Sequence, residues 1–327
     1  MTRFKAYRLF ASEDGVTGRV VDLALDELSP GDVVIRNAYS SVNYKDALAG
    51  LGRNKIIRQY PRIGGIDLFG TVSDSRDPRF KSGDDVVVHG FGIGVDHDGG
   101  YAEYARVPGD WVMPLPQGLS LRDAATIGVA GFTAALSIDL MELNGLRLAA
   151  GRVVVNGATG GVASIAIDML TQRGYEVTAI TGKRSEHDYL TGLGASEVID
   201  RVTIGSTTKP LEKELWAGAV DSLGGDALAW LTRTMQPQGV IAAFGNALGP
   251  DLHTTVLPFI LRGVRLIGVN ANSPMPLRQQ IWRRIATDLK PKHLANIARE
   301  IRLDDLPAAF RSLIDNQSRG RIVVALQ

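Results

Sequence analysis

The chain contains no cysteine in its 327 residues. Disulfides, thiolate metal centres and a cysteine nucleophile are therefore excluded. Long apolar runs are also lacking, since no stretch reads as the roughly 20 apolar residues that span a bilayer. The start, "MTRFKAYRLF", has no apolar core of the secretion-signal kind. A soluble, cytoplasmic protein with no membrane partner is the expectation. An excess of one charge is missing too: 36 Lys and Arg face 35 Asp and Glu, a net charge of +1. Nothing in that balance marks nucleic acid as a partner. Hydrophobic residues reach 45% with aromatics at only 6%, so the core must be built mainly from aliphatic side chains. The length suits two domains.

What is present changes character along the chain. The first third offers short β-rich runs between Gly, Pro and Asp punctuation, such as "DVVIRNAYS", "DVVVHG" and "YAEYARV". Residues 121–143 then carry apolar side chains at helical spacing with alanine between them. After Gly151, strand-like runs appear at 152–155, 176–180, 197–199, 218–221, 239–244 and 264–270, with helix-like segments between most of them. This alternation predicts an α/β fold with a doubly wound parallel sheet. The final "GRIVVALQ" is again a lone strand, expected to return to the first domain.

The first motif with chemistry is "NGATGGVAS" at 156–164. It reads G-x-x-G-x-x-A rather than G-x-G-x-x-G. The physics survives the change: glycines let the backbone approach a pyrophosphate, and the following helix turns its N-terminal amides toward that charge. Thr159, Gly160, Gly161 and Val162 are the candidate contacts, with an ordinary turn as the competing reading. An NAD site places Asp or Glu at the end of the next strand. Here "TGKR" supplies Thr181, Gly182, Lys183 and Arg184, with Arg201 after the third strand. Cations and a hydroxyl suit a ribose 2′-phosphate, which a carboxylate would repel. The cofactor expected is NADPH; a solvated basic turn is the alternative.

Longer strings carry a resemblance. They include "SSVNYKDALAG" at 40–50, "GIDLFGTV" at 65–72, "GDWVMPLPQGL" at 109–119, "AGFTAAL" at 130–136, "LPFILRGVRLIGV" at 257–269 and "NQSRGR" at 316–321. The chain resembles, essentially end to end, the zinc-free quinone-oxidoreductase type of medium-chain dehydrogenase/reductase, and within it the bacterial NADPH-dependent acrylyl-CoA reductases. The resemblance implies a GroES-like β-rich catalytic domain over 1–122, completed by 296–327, and a Rossmann NADPH-binding domain over 123–295. It implies a homodimer or a higher homo-oligomer, built through the last Rossmann strand, for which "VRLIGVN" is the candidate. It implies reduction of the C=C bond of a small enoyl-CoA, acrylyl-CoA to propionyl-CoA, by hydride transfer without a metal. An NADPH:quinone or free-enone reductase is the alternative enzyme, and a non-catalytic NADPH-binding protein the alternative of another class.

The resemblance assigns Tyr44, Asp46, Asp67 and Arg321 to the catalytic cleft, Tyr44 also touching cofactor. Tyr44 and Asp46 share a face if that segment is a strand; a turn leaves their directions open. A buried Asp67 needs a partner, and an ion pair with Arg321 is the structural reading. Asn43, Asn246 and Asn316 are candidates for the nicotinamide end. Asn270 and Asp98 depart from the family pattern near the expected substrate cleft. Arg53, Lys55 and Arg58 form a candidate basic mouth for CoA phosphates, or a solvated loop. His89 and His97 are spaced unlike any zinc motif, so no metal site is expected.

Overall fold

The computed structural model describes residues 3–204 and 209–327, with only the backbone of Thr203. Two compact units emerge: residues 1–129, 272–280 and 294–327 form the first, and residues 130–271 and 281–293 the second.

The first unit opens with a hairpin of β1 (Arg3–Ser12) and β2 (Gly15–Ala24). β3 (Val33–Val42) leads into the short helix α1 (Tyr44–Gly50). Then come β4 (Arg62–Ile63), β5 (Asp67–Ser75), β6 (Asp85–His89), β7 (Tyr104–Val107) and β8 (Met113–Pro114). Their alternating apolar residues fill two buried clusters, one around Phe4, Leu9, Ile63 and Tyr101, the other around Ile35, Leu68, Val72 and Val88.

Helix α2 (Leu121–Leu143) begins in the first unit and runs on in the second. By length and composition it is apolar enough to cross a membrane, which overturns the sequence expectation that no stretch is. Yet 89% of its most apolar window is buried inside the protein, as in the core helix of a folded domain. Its backbone leaves helical geometry at Gly128, where φ is 54° and ψ is −164°.

The second unit holds β9 (Val153–Asn156), α3 (Gly161–Gln172), β10 (Val177–Thr181), α4 (His187–Gly192), β11 (Glu197–Asp200), β12 (Trp216–Asp221), α5 (Gly225–Thr234), β13 (Met235–Ala243), α6 (Leu257–Arg262) and β14 (Arg265–Gly268). All six strands pair in parallel, in the order β11-β10-β9-β12-β13-β14. The chain winds outward from β9 in one direction and then, from β12, in the other. The carboxyl ends of β9 and β12 therefore flank the topological switch point, where such sheets bind ligands. The expected doubly wound sheet is present, strand for strand.

Helix α7 (Met275–Ala286) starts in the first unit and continues in the second. The chain returns to the first unit with α8 (Leu294–Ile297), β15 (Ala298–Ile301), α9 (Leu306–Ile314) and β16 (Arg321–Ala325). The last strand pairs antiparallel with β3, Ile322 opposite Val42. This pairing puts Arg321 beside the end of β3, and so beside the residues that open α1.

Candidate functional site

Three strands and a kinked helix converge on a buried polar cluster in the first unit. Ser40 and Ser41 end β3, Asp67 opens β5, Arg321 opens β16, and α1 follows Asn43. Asp46, Asp67 and Arg321 are all buried, whereas Tyr44 at the start of α1 is 49% exposed. The segment is helical, so the strand-like shared face for Tyr44 and Asp46 does not form. Tyr44 points outward, while Asp46 turns back to cap its own helix.

Each charge in the cluster has fixed partners. The Asp46 carboxylate accepts from Asn43 N at 2.9 Å, Asn43 Nδ2 at 3.1 Å and Ile66 N at 3.0 Å. The Asn43 contact is one half of a capping box. Asp67 accepts from Ser41 N at 3.0 Å, Ser41 Oγ at 2.6 Å and, more weakly, Val129 N at 3.3 Å. Arg321 donates to Thr126 O at 3.0 Å, Asn43 Oδ1 at 3.0 Å, Val42 O at 3.3 Å and Ser41 Oγ at 2.6 Å. Among the described residues Asp67 and Arg321 form no direct ion pair, contrary to the sequence expectation. The Ser41 hydroxyl stands between them, accepting from the guanidinium and donating to the carboxylate.

Two carboxylates against one guanidinium leave an excess negative charge in a water-poor pocket. Burial, and then the Asp67 charge, push Asp46 up to about 7. Asp46 thereby keeps its proton to higher pH than an ordinary carboxylate. Burial also lifts the Tyr101 phenol well above its ordinary range, with Asp46 and Asp67 adding to the effect. Its hydroxyl donates to Ser41 O at 3.2 Å. Arg321 is lowered by burial, against the pull of both carboxylates.

Gly128 explains the kink in α2. A Cβ at this position would lie 2.6 Å from Arg321 Nη2 and 2.9 Å from both Asp67 Oδ2 and Ser41 Oγ. Ser41, Tyr101 and Gly128 are members of the cluster that the sequence reading did not single out. A glycine inside an otherwise alanine-rich helical run was the one available signal.

The second unit builds the phosphate-binding side. Gly160 caps α3, and first-turn amides of a helix have no intrahelical acceptors. Gly157, at φ 58°, makes the turn, and a Cβ there would strike Ser222 Oγ at 2.2 Å. Behind the loop Asn156 bonds to Asp221 and accepts from Ser222 N at 2.8 Å, tying the carboxyl ends of β9 and β12 together. Thr159 is buried and Val162 half-buried, as are Thr181 and Lys183 respectively. Thr181 Oγ1 accepts from Lys183 N at 3.0 Å. Arg201 lays its guanidinium 3.1 Å from where a Cβ on Gly182 would stand. Asn246 is exposed in the loop after β13, at the same carboxyl edge. Donors and cations along this edge fit a dinucleotide with an additional phosphate.

Other sequence candidates have structural work. Asp98 is buried and accepts from Ser29 N at 2.9 Å, Ser29 Oγ at 2.8 Å and Ile63 N at 3.1 Å, tying its own loop to the segment before β3 and to β4. Asn316, at φ 55°, follows α9 in the left-handed conformation that ends helices. Arg53, Lys55 and Arg58 are exposed in the loop after α1.

Residues 29–117 match the model of the alcohol dehydrogenase GroES-like domain, and residues 161–287 that of the zinc-binding dehydrogenases. YhfP of Bacillus subtilis, which carries a quinone oxidoreductase name, is 47% identical over 99% of both chains. The chain belongs to the medium-chain dehydrogenase/reductase family. Within the family, acrylyl-CoA reductase AcuI of Ruegeria pomeroyi is 44% identical, covering 95% of this chain and 96% of that one. The yhdH oxidoreductase of Salmonella enterica, solved in complex with NADP, superposes with a TM-score of 0.96 at 45% identity, covering 99% of this chain and all of that one. YhfP itself is solved with NAD bound, with a TM-score of 0.97 and full coverage of both chains. The chain is accordingly an oxidoreductase of this family.

The family's zinc-binding name raises the question of a metal. The residues present do not fit one. There is no cysteine. His89 is buried with Nδ1 at 2.7 Å from Arg278 Nη1, and both ring nitrogens of His97 face backbone carbonyls, of Asp98 and Pro30. No group of three or more His, Asp or Glu side chains gathers as a ligand set among the described residues.

Proposed function

We propose that this protein is an NADPH-dependent reductase of the C=C bond of a small enoyl-CoA, converting acrylyl-CoA to propionyl-CoA. The observation that carries the cofactor half is the basic end of β10, where Lys183 and Arg184 stand in place of the acidic residue of NAD sites, with Arg201 following β11. The substrate half is supported by the near full-length similarity to an acrylyl-CoA reductase.

NADPH, when bound, supplies the hydride for the substrate's β-carbon. The π electrons then move to the thioester oxygen, so an enolate must be stabilised and a proton must reach the α-carbon. Of the four proposed catalytic residues, Tyr44 is the accessible one. Its hydroxyl is the group we assign to the substrate, as hydrogen-bond donor or as source of the α-proton by way of water. Asp46, Asp67 and Arg321 are buried beneath it. We assign them to holding the first turn of α1, and hence Tyr44, in one orientation. Burial makes Asp46, on the same turn, bind a proton more tightly than an ordinary carboxylate does.

The test is the loss of NADPH absorbance with acrylyl-CoA, a simple quinone and free acrylate, with NADH as control. Turnover confined to acrylyl-CoA is expected, with Tyr44→Phe losing tenfold or more in kcat. Turnover with quinone alone would transfer the assignment to the quinone reductases, the reading favoured by the name of YhfP. We further propose a cytoplasmic homodimer paired through β14. That strand is an edge of the six-stranded sheet, and Val256, Ile260 and Leu261 beside it are exposed.

A further inference from the structure

We propose that Asp200 sets how strongly this protein prefers NADPH over NADH, by holding Arg184 in a counter-ion contact that a ribose 2′-phosphate must share. The inference rests on the NADPH reading above. In the parallel pairing of β10 and β11, Thr181 stands opposite Asp200. Neighbouring strands lie about 4.8 Å apart. The end of β10, where this fold places the adenosine ribose, is therefore adjacent to a carboxylate on the next strand. That carboxylate is engaged twice. Oδ2 accepts from Arg184 Nε, and Oδ1 accepts from Val202 N at 3.1 Å, capping the turn after β11.

The two side chains differ sharply in exposure: Arg184 is 79% exposed, whereas Asp200 is only 13% exposed. The acid is fixed by its cap and the cation swings from it. Hydrogen bonding to Arg184 holds Asp200 below its ordinary range, so it stays charged at neutral pH. Around it, Arg201 covers Gly182, and Lys183 is half-buried with Glu186 acting on its charge. Three cations thus face two carboxylates rather than none. A 2′-phosphate gains from the cations, but it must approach Asp200 to reach Arg184. A 2′-hydroxyl meets no such repulsion. The residue that an NAD site carries on the second strand stands here one strand over, muted by its own arginine.

The test is calorimetric binding of NADPH and NADH to the full chain. Asp200→Asn removes the charge and keeps the cap, because Asn caps helical turns as well as Asp does. It is expected to tighten NADPH about fivefold while NADH stays within twofold, the scale of one unit charge acting through solvent at a few ångströms. Arg184→Gln, at an exposed side chain, is expected to weaken NADPH about tenfold and to leave NADH unchanged or tighter. In the double variant the two effects should fail to add. Equal changes for both cofactors, or weaker NADPH binding in Asp200→Asn, would overturn the proposal, since a merely structural cap does not distinguish the two. If the native chain binds no NADPH, the cofactor reading falls and this inference with it. If it binds NADPH and Asp200→Asn changes nothing, only this inference falls.

Discussion

Replacing Gly128 by alanine should unfold the first unit's polar cluster at a cost that can be worked out in advance. The perturbation is one methyl group. Its backbone, at φ 54° and ψ −164°, lies in a region essentially reserved for glycine. Holding alanine there costs about 1–3 kcal/mol. The methyl would also sit 2.6 Å from Arg321 Nη2. That guanidinium cannot simply swing aside, because Thr126 O, Val42 O, Asn43 Oδ1 and Ser41 Oγ hold it. Moving it forfeits at least one charge-assisted hydrogen bond, about 1.5–3 kcal/mol. Together the loss is about 3–6 kcal/mol, a large share of the 5–15 kcal/mol typical of a native protein. Gly83→Ala is the control. Its φ is +97° but nothing lies within 4 Å of the added Cβ, so it carries the backbone cost alone. Urea unfolding of both variants, followed by circular dichroism and by proteolysis within residues 1–129, gives the comparison. If Gly128→Ala proves no more costly than Gly83→Ala, the cluster does not constrain the helix and the reasoning fails.

Two further outcomes concern pH. Asp46 is raised to about 7 by burial and by Asp67, so the folded state keeps its proton where the unfolded chain has lost it. Its contribution therefore favours folding at low pH and declines as pH rises from about 4 to about 7, by an amount on the order of 4 kcal/mol; Asp46→Asn should flatten this slope in the stability profile, and an unchanged slope would refute the assignment. The acid limb belongs to the second unit, where Arg284 binds Asp139 at 2.7 Å, Glu142 at 2.7 Å and Asp288 at 2.6 Å. Burial would raise Glu142 and Asp288, but hydrogen bonds from Arg284 outweigh it and hold both below their ordinary range. Their stabilisation is present above the unfolded values and lost as pH falls through the folded ones. Arg284→Met should cost about 2–4 kcal/mol at pH 7 and progressively less as both acids protonate, as read from denaturant midpoints across the acid range.

Much of the second unit was legible because its signals are local. Apolar runs bounded by turns identify β9 to β14, and the glycines of 157–161 mark the loop where the sheet changes direction. The cationic character of "TGKR" is equally plain in one dimension. What that string conceals is Asp200, some twenty residues on, because only the parallel register brings a neighbouring strand's end beside it. Asn156 and Asp221 passed unnoticed for the same reason: the bond joining the ends of β9 and β12 spans 65 residues.

The first unit shows the complementary limit. Composition and spacing were enough to expect a β-rich domain and a returning last strand, while the family resemblance supplied the candidate acids Asp46 and Asp67. They left open where the side chains point. Tyr44 and Asp46 could be divided between outside and inside only once α1 was known to be a helix with Asp46 at its cap. The arrangement of Asp67 and Arg321 depended on a third residue, Ser41, whose type carries no charge signature. Sequence by itself determines periodicity, turn chemistry and charge inventory, because these act between near neighbours. Tertiary structure decides which of the charges are desolvated together, since burial and Coulomb interaction depend on distance in space. That is why the protonation of Asp46, the kink at Gly128 and the counter-ion at Arg184 belong to the folded molecule alone.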